Sequence, residues 1–455
     1  MKHHNVMTNK IKLKKGLNIR ILGEASKTFV GDISSDMYGL RPTDFPGLTP
    51  KLDVQVGDTV KAGTPLFHSK HCPDIFFVSP VSGTVSDIVR GEKRKLLEVV
   101  VKRSGDEYVD FGKSDVDSLS REKIIDKMLG SGLWPMVRQR PYHVVANPKD
   151  KPKSIFISGF DTAPLAPDYS FITDFYPQGL FQKGLDVLKR LTDGKVHLVL
   201  SEETASKELT SAKGVEITYV SGPHPAGNVG VHIHHIDPVN KGEVVWYVNL
   251  QDVMALARLF NEGIYKPERV IALTGSEIVN SGYYRVLAGV SIEPMVKGNT
   301  KIENVRYISG NVLTGTKIEK NGSLCFYDSQ ISVIPEGDYY EMFGWAKPGL
   351  KKYTFSRAFL SAICKKSKYR LDTNFHGEER AFVVTGQYEK VVPMDIYPMQ
   401  LFKAIIAEDI DMMEKLGIYE VAEEDFALCE FICTSKIEIQ SIIRQGLDLM
   451  MKEMA

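Results

Sequence analysis

One stretch near the N-terminus, residues 52–94, constrains the fold of this chain more than any other. It contains glycine-centred turns at Gly57 and Gly63 and a third turn at residues 79–83, placed between short runs rich in β-branched and aromatic residues. Glycine reaches the positive φ of tight turns without steric cost, and turns spaced this closely join short antiparallel strands. The stretch therefore predicts a small β-sandwich built from hairpins.

The same stretch resembles the biotinyl/lipoyl carrier domain. Residues 54–66 follow that domain's V-x-x-G-D-x-V-x-x-G-x-x-L pattern, and residues 79–85, S-P-V-S-G-T-V, match the run on its other flank. In the carrier family a modified lysine lies between the two flanks, whereas Cys72 stands near that position here and Lys70 is two residues away. The resemblance implies a barrel-sandwich fold. A biotin or lipoate carrier module of a group-transfer enzyme remains an alternative function.

Charge and apolar content narrow the class of protein. Lys and Arg together number 57, as do Asp and Glu, so the chain has no net charge that would favour binding to nucleic acid or to an anionic membrane. Local patches of charge remain possible. No window reaches the roughly 18 consecutive apolar residues of a membrane-spanning helix. The N-terminal sequence is basic without an apolar region, so we predict no export. Five scattered cysteines fit a reducing compartment.

The middle of the chain has the pattern of an α/β domain. Predicted strands at residues 154–158, 196–200 and 215–220 alternate with segments of helical spacing, which indicates a parallel sheet with ligand space at the carboxyl ends of its strands. Asp161 lies at such an end. No glycine-rich dinucleotide fingerprint and no P-loop occurs, which argues against a self-contained dehydrogenase.

Aromatic and guanidinium groups cluster ahead of this domain. Trp134, Arg138, Arg140 and Tyr142 lie within nine residues, and such groups can hold a planar ring by stacking and by hydrogen bonds to its oxygens. The alternative is that Trp134 packs in the core while the arginine stems extend along apolar surface.

Histidines form a second cluster, with His224, His232, His234 and His235 within twelve residues. On a strand His232 and His234 would share one face, so a metal site, a ligand-binding loop and a structural loop all remain open. Cys429 and Cys433 are four residues apart, and we predict that both are buried structural thiols.

The remaining strands and helices that we predict make the chain an α+β protein of several domains. We predict a strand pair around Gly16, two short strands within residues 330–345, and C-terminal helices at 400–416 and 436–453. The predicted domains are N-terminal strands plus a barrel-sandwich hybrid at 1–105, a Rossmann-like α/β domain at 106–265, a β-grasp-like module at 266–330 and a helical C-terminal domain at 331–455.

Five short motifs, spread over the chain in a fixed order, carry a more specific resemblance. They are R-G-E-K-R at 90–94, D-T-A-P-L-A at 161–166, S-G-P-H-P-A-G at 221–227, I-S-G-N-V-L-T-G at 308–315 and E-E-D-F-A-L-C at 423–429. Together they resemble the NqrA family, which forms part of the sodium-translocating NADH:quinone oxidoreductase. The chain is also similar to RnfC, but it lacks the cysteine runs that hold iron–sulfur clusters in that protein.

This resemblance implies a peripheral subunit on the cytoplasmic face of the bacterial inner membrane. The six-subunit complex passes electrons from NADH to ubiquinone or menaquinone and exports sodium, with NAD, FMN or FAD and iron–sulfur centres carried by partner subunits. The turn at 159–164 contains one glycine and lacks the glycine-rich approach that a flavin phosphate requires, which indicates a vestigial flavin domain. We therefore expect no catalytic residue, no metal and no covalently bound cofactor on this chain.

We expect this chain to contact quinone and the partner subunits, and we expect no binding to nucleic acid. The turn at 90–94 is a candidate surface for docking on the integral membrane subunits. The candidate quinone-binding residues are Tyr38, Leu40, Arg41, Trp134, Arg138, Arg140, Tyr142 and His224.

Overall fold

The computed structural model describes residues 9–363 and 367–454. Short strands dominate the first part of the chain, up to residue 103. They are β1 (Asn9–Lys12), β2 (Phe29–Asp32), β3 (Met37–Leu40), β4 (Pro50–Leu52), β5 (Thr59–Val60), β6 (Pro65–Ser69), β7 (Phe76–Val78), β8 (Gly83–Arg90) and β9 (Leu96–Arg103).

Seven of these strands form the barrel-sandwich that the turns predict. A four-stranded sheet has the order β3-β9-β8-β5, and a three-stranded sheet has the order β4-β6-β7. Both contribute to one apolar core, in which the rings of Phe67 and Phe77 stack with centroids 4.9 Å apart. Gly57 and Gly63 have φ angles of 97° and 98°, as the tight turns between the strands require.

The second part of the chain alternates strands and helices. Its elements are α1 (Arg121–Gly130), β10 (Val137–Arg140), β11 (Val144–Val145), β12 (Ser154–Ser158), α2 (Tyr169–Thr173), α3 (Leu180–Lys189), β13 (Lys195–Ser201), α4 (Lys207–Thr210), β14 (Glu216–Ser221), α5 (Val229–Ile236), β15 (Val245–Asn249) and α6 (Leu250–Glu262).

One seven-stranded sheet organises this α/β domain, with the order β1-β14-β13-β12-β15-β10-β11. The strands from β1 to β15 in that order are parallel, and β10 runs antiparallel to both of its neighbours. The chain builds outward from β12 through β13 to β14 and then returns to the other side of β12 as β15. The order therefore reverses between β12 and β15, where parallel sheets of this kind open a crevice.

The sheet also separates two apolar cores. Along β12, Ile155 and Ile157 belong to the core shared with the barrel-sandwich, while Phe156 belongs to the core shared with the C-terminal helices. Alternate residues of a strand point to opposite faces, so a strand buried on both faces is apolar throughout.

The N-terminal segment differs from its prediction. There is no strand pair around Gly16, because β1 ends at Lys12 and pairs in parallel with β14, with Ile11 opposite Val220. The apolar and basic alternation correctly indicates a strand, but its partner lies some two hundred residues away, which a local pattern does not reveal.

The third part of the chain forms a six-stranded sheet with the order β19-β18-β20-β16-β17-β2, so one strand comes from the N-terminal part. Its remaining elements are β16 (Glu268–Thr274), β17 (Gly282–Leu287), α7 (Glu293–Val296), β18 (Val305–Ser309), β19 (Thr316–Ile318) and β20 (Gln330–Pro335). The prediction of two strands within residues 330–345 is wrong, since β20 is the one strand in that range.

Helices complete the fold at the C-terminus, with α8 (Pro398–Ile406), α9 (Ile410–Lys415), α10 (Ala427–Ile432) and α11 (Ile439–Glu453). The single helix predicted over residues 400–416 is two helices. The chain turns at Glu408, whose φ is +54°, and Asp409 then caps α9 by accepting a hydrogen bond from the Met412 N–H at 3.0 Å.

The predicted domain limits at residues 105, 265 and 330 stay predictions. Three strands cross them: β1 lies in the α/β sheet, β2 lies in the six-stranded sheet, and β20 begins at residue 330 as part of that same sheet.

Candidate functional site

A cavity of about 130 Å³ lies at the carboxyl ends of β12 and β15, where the strand order reverses. We call it the switch-point cavity. It is lined by residues of the α/β domain, of the loop after β18 and of the C-terminal helical part: Arg138, Ser158, Phe160, Asp161, Ala163, Tyr169, His224, Gly227, Asn228, Val229, Tyr247, Val248, Asn249, Leu250, Asn311, Thr314 and Glu424.

Two loops make the wall beside β12. The Ser158 hydroxyl donates to the Phe160 carbonyl at 2.7 Å and lies 3.1 Å from the Gly227 carbonyl, and Asp161 Oδ1 accepts from the Ala163 N–H at 2.8 Å. A Cβ on Gly227 would lie 2.7 Å from the Thr162 backbone nitrogen, so only glycine permits this approach. Burial raises the pKa of Asp161, with Glu424 adding to the rise.

Arg138 provides the cation at the opposite wall. Its guanidinium carbon lies 4.6 Å from the ring centroid of Tyr247 and 4.2 Å from that of Tyr327. Nη2 donates to Asn249 Oδ1 at 2.8 Å, and Nη1 lies 3.3 Å from His143 Nε2. Two aromatic contacts and two polar contacts hold the guanidinium in one orientation.

His224 contributes a neutral imidazole. It is 4% exposed, and burial lowers its pKa to about 4. Thr162 Oγ1 accepts from the Gly227 N–H at 2.9 Å and lies within hydrogen-bond distance of His224 Nδ1, at 3.1 Å. At neutral pH the ring is uncharged and carries one N–H, so one of its nitrogens can donate a hydrogen bond and the other can accept one.

Two buried donors at the cavity have no partner within the described part of the chain. They are the hydroxyl of Tyr247, a residue that is 2% exposed, and Nε of Arg138. Burial raises the pKa of Tyr247 to about 12, so the phenol keeps its proton at neutral pH. Buried donors are normally satisfied, so these two are available to an acceptor that enters the cavity.

Acidic side chains reach the cavity from the C-terminal part. Arg140 Nη2 lies 3.1 Å from Glu424 Oε1 and 3.6 Å from Asp425 Oδ2, and Arg140 is fully buried. Burial raises the pKa of Asp425 to about 7, Arg140 opposes that rise and Glu424 adds to it. Burial alone would raise the pKa of Glu423, but His143 and Arg444 hold it at about 2.

The structure brings only two of the eight candidate quinone-binding residues, Arg138 and His224, into the cavity lining. Arg140 lies behind Glu424. Trp134 packs in the core, where its Nε1 donates to the Ala146 carbonyl at 2.7 Å and its ring meets Trp246 edge to face. Tyr142 packs edge to face against Tyr419.

The other three candidates lie on or next to β3. Tyr38 and Leu40 are buried in the barrel-sandwich core at 1% and 6% exposure. Arg41 contacts the loop between β19 and β20, where its Nη1 lies 3.4 Å from Cys325 Sγ.

Sequence reasoning missed most of the polar lining: Tyr169, Asn228, Tyr247, Asn249, Asn311 and Glu424. One signal was present, because Asn249 ends an apolar strand in the same way that Asp161 follows one. The others lie on segments whose approach to β12 is a property of the tertiary fold.

The histidine cluster does not form a strand. His232, His234 and His235 lie on helix α5, and each ring has its own partner: the Ala226 carbonyl at 2.7 Å, Glu420 Oε2 at 2.6 Å and the Pro393 carbonyl at 2.8 Å. Across residues 9–363 and 367–454, no three His, Cys, Asp or Glu side chains are grouped to hold a metal. Cys429 and Cys433 are both buried, as predicted.

The hairpin that carries the modified lysine in carrier domains corresponds to β6 and β7. Lys70 is exposed in its turn, and the half-buried Cys72 packs against the barrel-sandwich core.

Comparison with known proteins decides the family. Family models match at residues 11–104 (NqrA N-terminal barrel-sandwich hybrid domain), 119–265 (NqrA second alpha/beta domain) and 270–320 (NQRA C-terminal domain). The NqrA protein of the Na(+)-translocating NADH-quinone reductase of Yersinia pestis is 39% identical over 440 residues, covering 95% of this chain and 98% of that protein. The chain belongs to the NqrA family.

Other members of the NqrA family agree. The Rhodopirellula baltica protein is 39% identical over 97% of this chain and 98% of its own length, and the Haemophilus influenzae protein is 38% identical over 97% and 100%. The resemblance found in the five motifs is confirmed. A chain of an NAD+-reducing [NiFe]-hydrogenase covers 74% of this chain and 66% of its own at 12% identity, with a TM-score of 0.38, which is too low to carry an argument. None of the helices in the described part of the chain has the length and apolar character to cross a bilayer.

Proposed function

We propose that this chain is the peripheral NqrA component of a sodium-pumping NADH:quinone oxidoreductase, on the cytoplasmic face of the bacterial inner membrane. The complex couples electron transfer from NADH to ubiquinone or menaquinone with sodium export. In this proposal NAD, flavin and iron–sulfur centres belong to partner subunits, and this chain carries no redox centre. The observation that supports it is the 39% identity to NqrA proteins of this reductase over nearly the whole chain.

Within the complex, this chain would contact the quinone head group at the switch-point cavity. Its lining includes two buried donors that lack a partner among the described residues, Arg138 Nε and the Tyr247 hydroxyl, and the imidazole of His224, around a space the size of one ring without an isoprenoid tail. Quinone carbonyl oxygens only accept hydrogen bonds, so a set of unpartnered donors matches their chemistry. The cavity is smaller than the sites that usually enclose a whole ligand, which leaves the tail outside it.

The remaining candidates support this contact indirectly. Arg140 orients Glu424, and Trp134 fixes the strand that carries Arg138. The turn at residues 90–94 is exposed or half-exposed and charged, which suits docking on a partner subunit.

The test uses the assembled complex with Arg138→Gln or His224→Gln in this chain. Loss of a charge-assisted hydrogen bond of about 1.5–3 kcal/mol should raise the KM for quinone roughly tenfold or more in the Arg138 variant, and by less in the His224 variant. NADH oxidation by an artificial acceptor, which bypasses the quinone, should keep its rate.

Arg190→Gln is the matched control, because Arg190 is half-exposed and pairs with the exposed Asp117 at 3.5 Å. An unchanged quinone KM in both cavity variants, with normal amounts of this chain in the complex, would contradict quinone contact at this cavity.

A further inference from the structure

A segment without strands or α-helices, residues 336–387 in its described part, concentrates exposed apolar side chains. We call it the arm. Ten of the nineteen large hydrophobic residues exposed on the described part of the chain lie in it: Tyr339, Tyr340, Met342, Phe343, Leu350, Leu360, Ile363, Phe375, Val383 and Val384. Tyr340 is 89% exposed and Leu350 is 72% exposed. Exposed apolar side chains gathered in this way mark an interaction surface.

The arm holds these side chains outward by contacts within itself. Glu341 pairs with Lys347 at 3.1 Å and also with Lys352, whose ammonium donates to the Gly344 carbonyl at 3.0 Å. The Leu360 N–H donates to the Pro348 carbonyl at 3.0 Å.

The arm is also anchored to the helical part of the protein. The ring of Tyr353 lies 5.4 Å from that of Tyr369 and 5.7 Å from that of Phe431 on α10. The exposed residues therefore lie on a segment that packs against helix α10 through Tyr353.

One stretch of the arm, residues 342–363, differs from the rest of the chain in its balance of charge. Residues 342–363 contain four Lys or Arg and no Asp or Glu, although the whole chain has 57 of each sign. Lys347 and Lys352 share the single carboxylate of Glu341. Lys351 and Arg357 are exposed and have no ion-pair partner in the described part of the chain. Residues 342–363 thus present uncompensated positive charge beside apolar side chains, and the six Asp and Glu residues of the arm lie before and after them in the sequence.

We propose that the arm docks on the anionic headgroup surface of a lipid bilayer. Exposed tyrosine, phenylalanine and methionine suit a protein interface as well as a membrane interface, whereas lysine is depleted where proteins bind one another, so it is the lysines that favour a lipid surface. Cationic side chains next to aliphatic and aromatic ones match a membrane interface, where the cations meet anionic headgroups and the apolar groups enter the boundary with the acyl chains. This contact is independent of the quinone site and adds a direct lipid attachment to the docking on partner subunits.

The test measures cosedimentation of the full chain with vesicles. Vesicles of phosphatidylcholine mixed with phosphatidylglycerol should bind the chain, pure phosphatidylcholine vesicles should bind it weakly, and added salt should reduce the binding. Lys351→Glu/Arg357→Glu should weaken binding to the anionic vesicles at least about tenfold. Tyr340→Ser/Leu350→Ser should also weaken it, because fewer apolar groups enter the interface.

Matched controls carry the same changes elsewhere on the surface. Lys51→Glu/Lys320→Glu alters the net charge equally at exposed lysines, and Val56→Ser/Val279→Ser removes apolar residues that are 59% and 55% exposed. Both should bind the anionic vesicles as the unchanged chain does. All four variants change exposed side chains, and equal thermal unfolding temperatures would show that each is folded.

Absence of binding to the anionic vesicles would overturn the proposal, as would equal binding to both vesicle types or equal losses in arm and control variants. If the vesicles bind nothing and arm variants fail to join the assembled complex, the arm binds a protein instead. The vesicles contain neither quinone nor partner subunits, so a negative result leaves the proposed quinone contact untouched.

Discussion

Buried histidines show how far the surroundings of a residue set its chemistry. His224 and His232 come from the same short stretch, and burial lowers the pKa of each to about 4. His224 lines the switch-point cavity and lies 3.1 Å from Thr162 Oγ1, whereas His232 donates Nε2–H to the Ala226 carbonyl at 2.7 Å and has no partner at Nδ1 within the described residues. The first is suited to bind a ligand and the second to hold a loop in place.

His232 makes stability sensitive to acid. Between pH 6.5 and about 4 the unfolded chain binds a proton that the folded chain does not, so the free energy of unfolding falls as the pH falls. The contribution of this one group is roughly 3 kcal/mol across that window. His232→Gln should lower stability at pH 7 but flatten the decline toward pH 4, as measured by urea unfolding at a series of pH values. The exposed His71→Gln is the control, and parallel declines in all three proteins would contradict the assignment.

At this scale the sequence located a small part of the site, namely Arg138, Asp161 and His224. The polar residue after an apolar strand, Asp161, and the loop with His224 were identified by position. Tyr247 was hidden in an apolar strand, because a phenol in such a pattern is typical of a core. The aromatic and guanidinium cluster was misleading in part, since β10 places Arg138 at the cavity while Trp134 lies in the core.

Helix α5 shows where element prediction fails. Its sequence, V-G-V-H-I-H-H-I, alternates apolar residues and histidines as a strand would, yet residues 229–236 are helical. Gly230 lies where a Cβ would be 2.5 Å from Asp425 Oδ2, and Val231 and Ile233 are buried against the C-terminal core. Tertiary packing overrides the period of a short segment.

Helices α3 and α6 pack through a glycine. A Cβ on Gly184 would lie 2.1 Å from the Val253 carbonyl oxygen, so Gly184→Ala should destabilise the chain by about 1–3 kcal/mol even though alanine favours helix. Gly130→Ala, at the end of α1 with no atom within 4 Å of the new Cβ, should be neutral or stabilise by up to about 1 kcal/mol. Chemical denaturation of the two variants tests the pair. Equal effects of the two substitutions would show that the helices can separate without cost.

For the whole molecule, buried charge joins the α/β domain to the C-terminal helices. Arg140 contacts Glu424 and Asp425, His143 lies 3.2 Å from Glu423, and the Arg444 guanidinium donates to the Tyr142 carbonyl at 2.9 Å. Arg140 Nη1 and Asp425 Oδ1 are buried and lack hydrogen-bond partners among the described residues. The junction therefore depends on the two charges compensating each other.

Arg140→Met should destabilise the protein by about 3–5 kcal/mol, because it leaves Asp425 buried without its cation. Arg140→Met/Asp425→Leu should recover part of that loss, since this pair is then apolar. Hydrogen exchange over α8 to α11 should quicken in the single variant, and urea unfolding gives the free energies. Arg190→Met, at a half-exposed arginine, should cost less than about 1 kcal/mol. A double variant no more stable than the single one would argue against the charge pair as the cause.

The sequence by itself determined the family, the barrel-sandwich and the alternation of strands and helices in the middle of the chain. These follow from turn glycines, strand and helix periods and short ordered motifs, all of which are local. Only the tertiary structure decided that β1 joins the α/β sheet and that Tyr247, Asn311 and Glu424 meet Arg138 and His224 at one cavity. Contacts between distant segments depend on how whole elements pack. The exposure of the arm's apolar side chains likewise depends on the contacts that hold the arm in its conformation, and its composition does not reveal it.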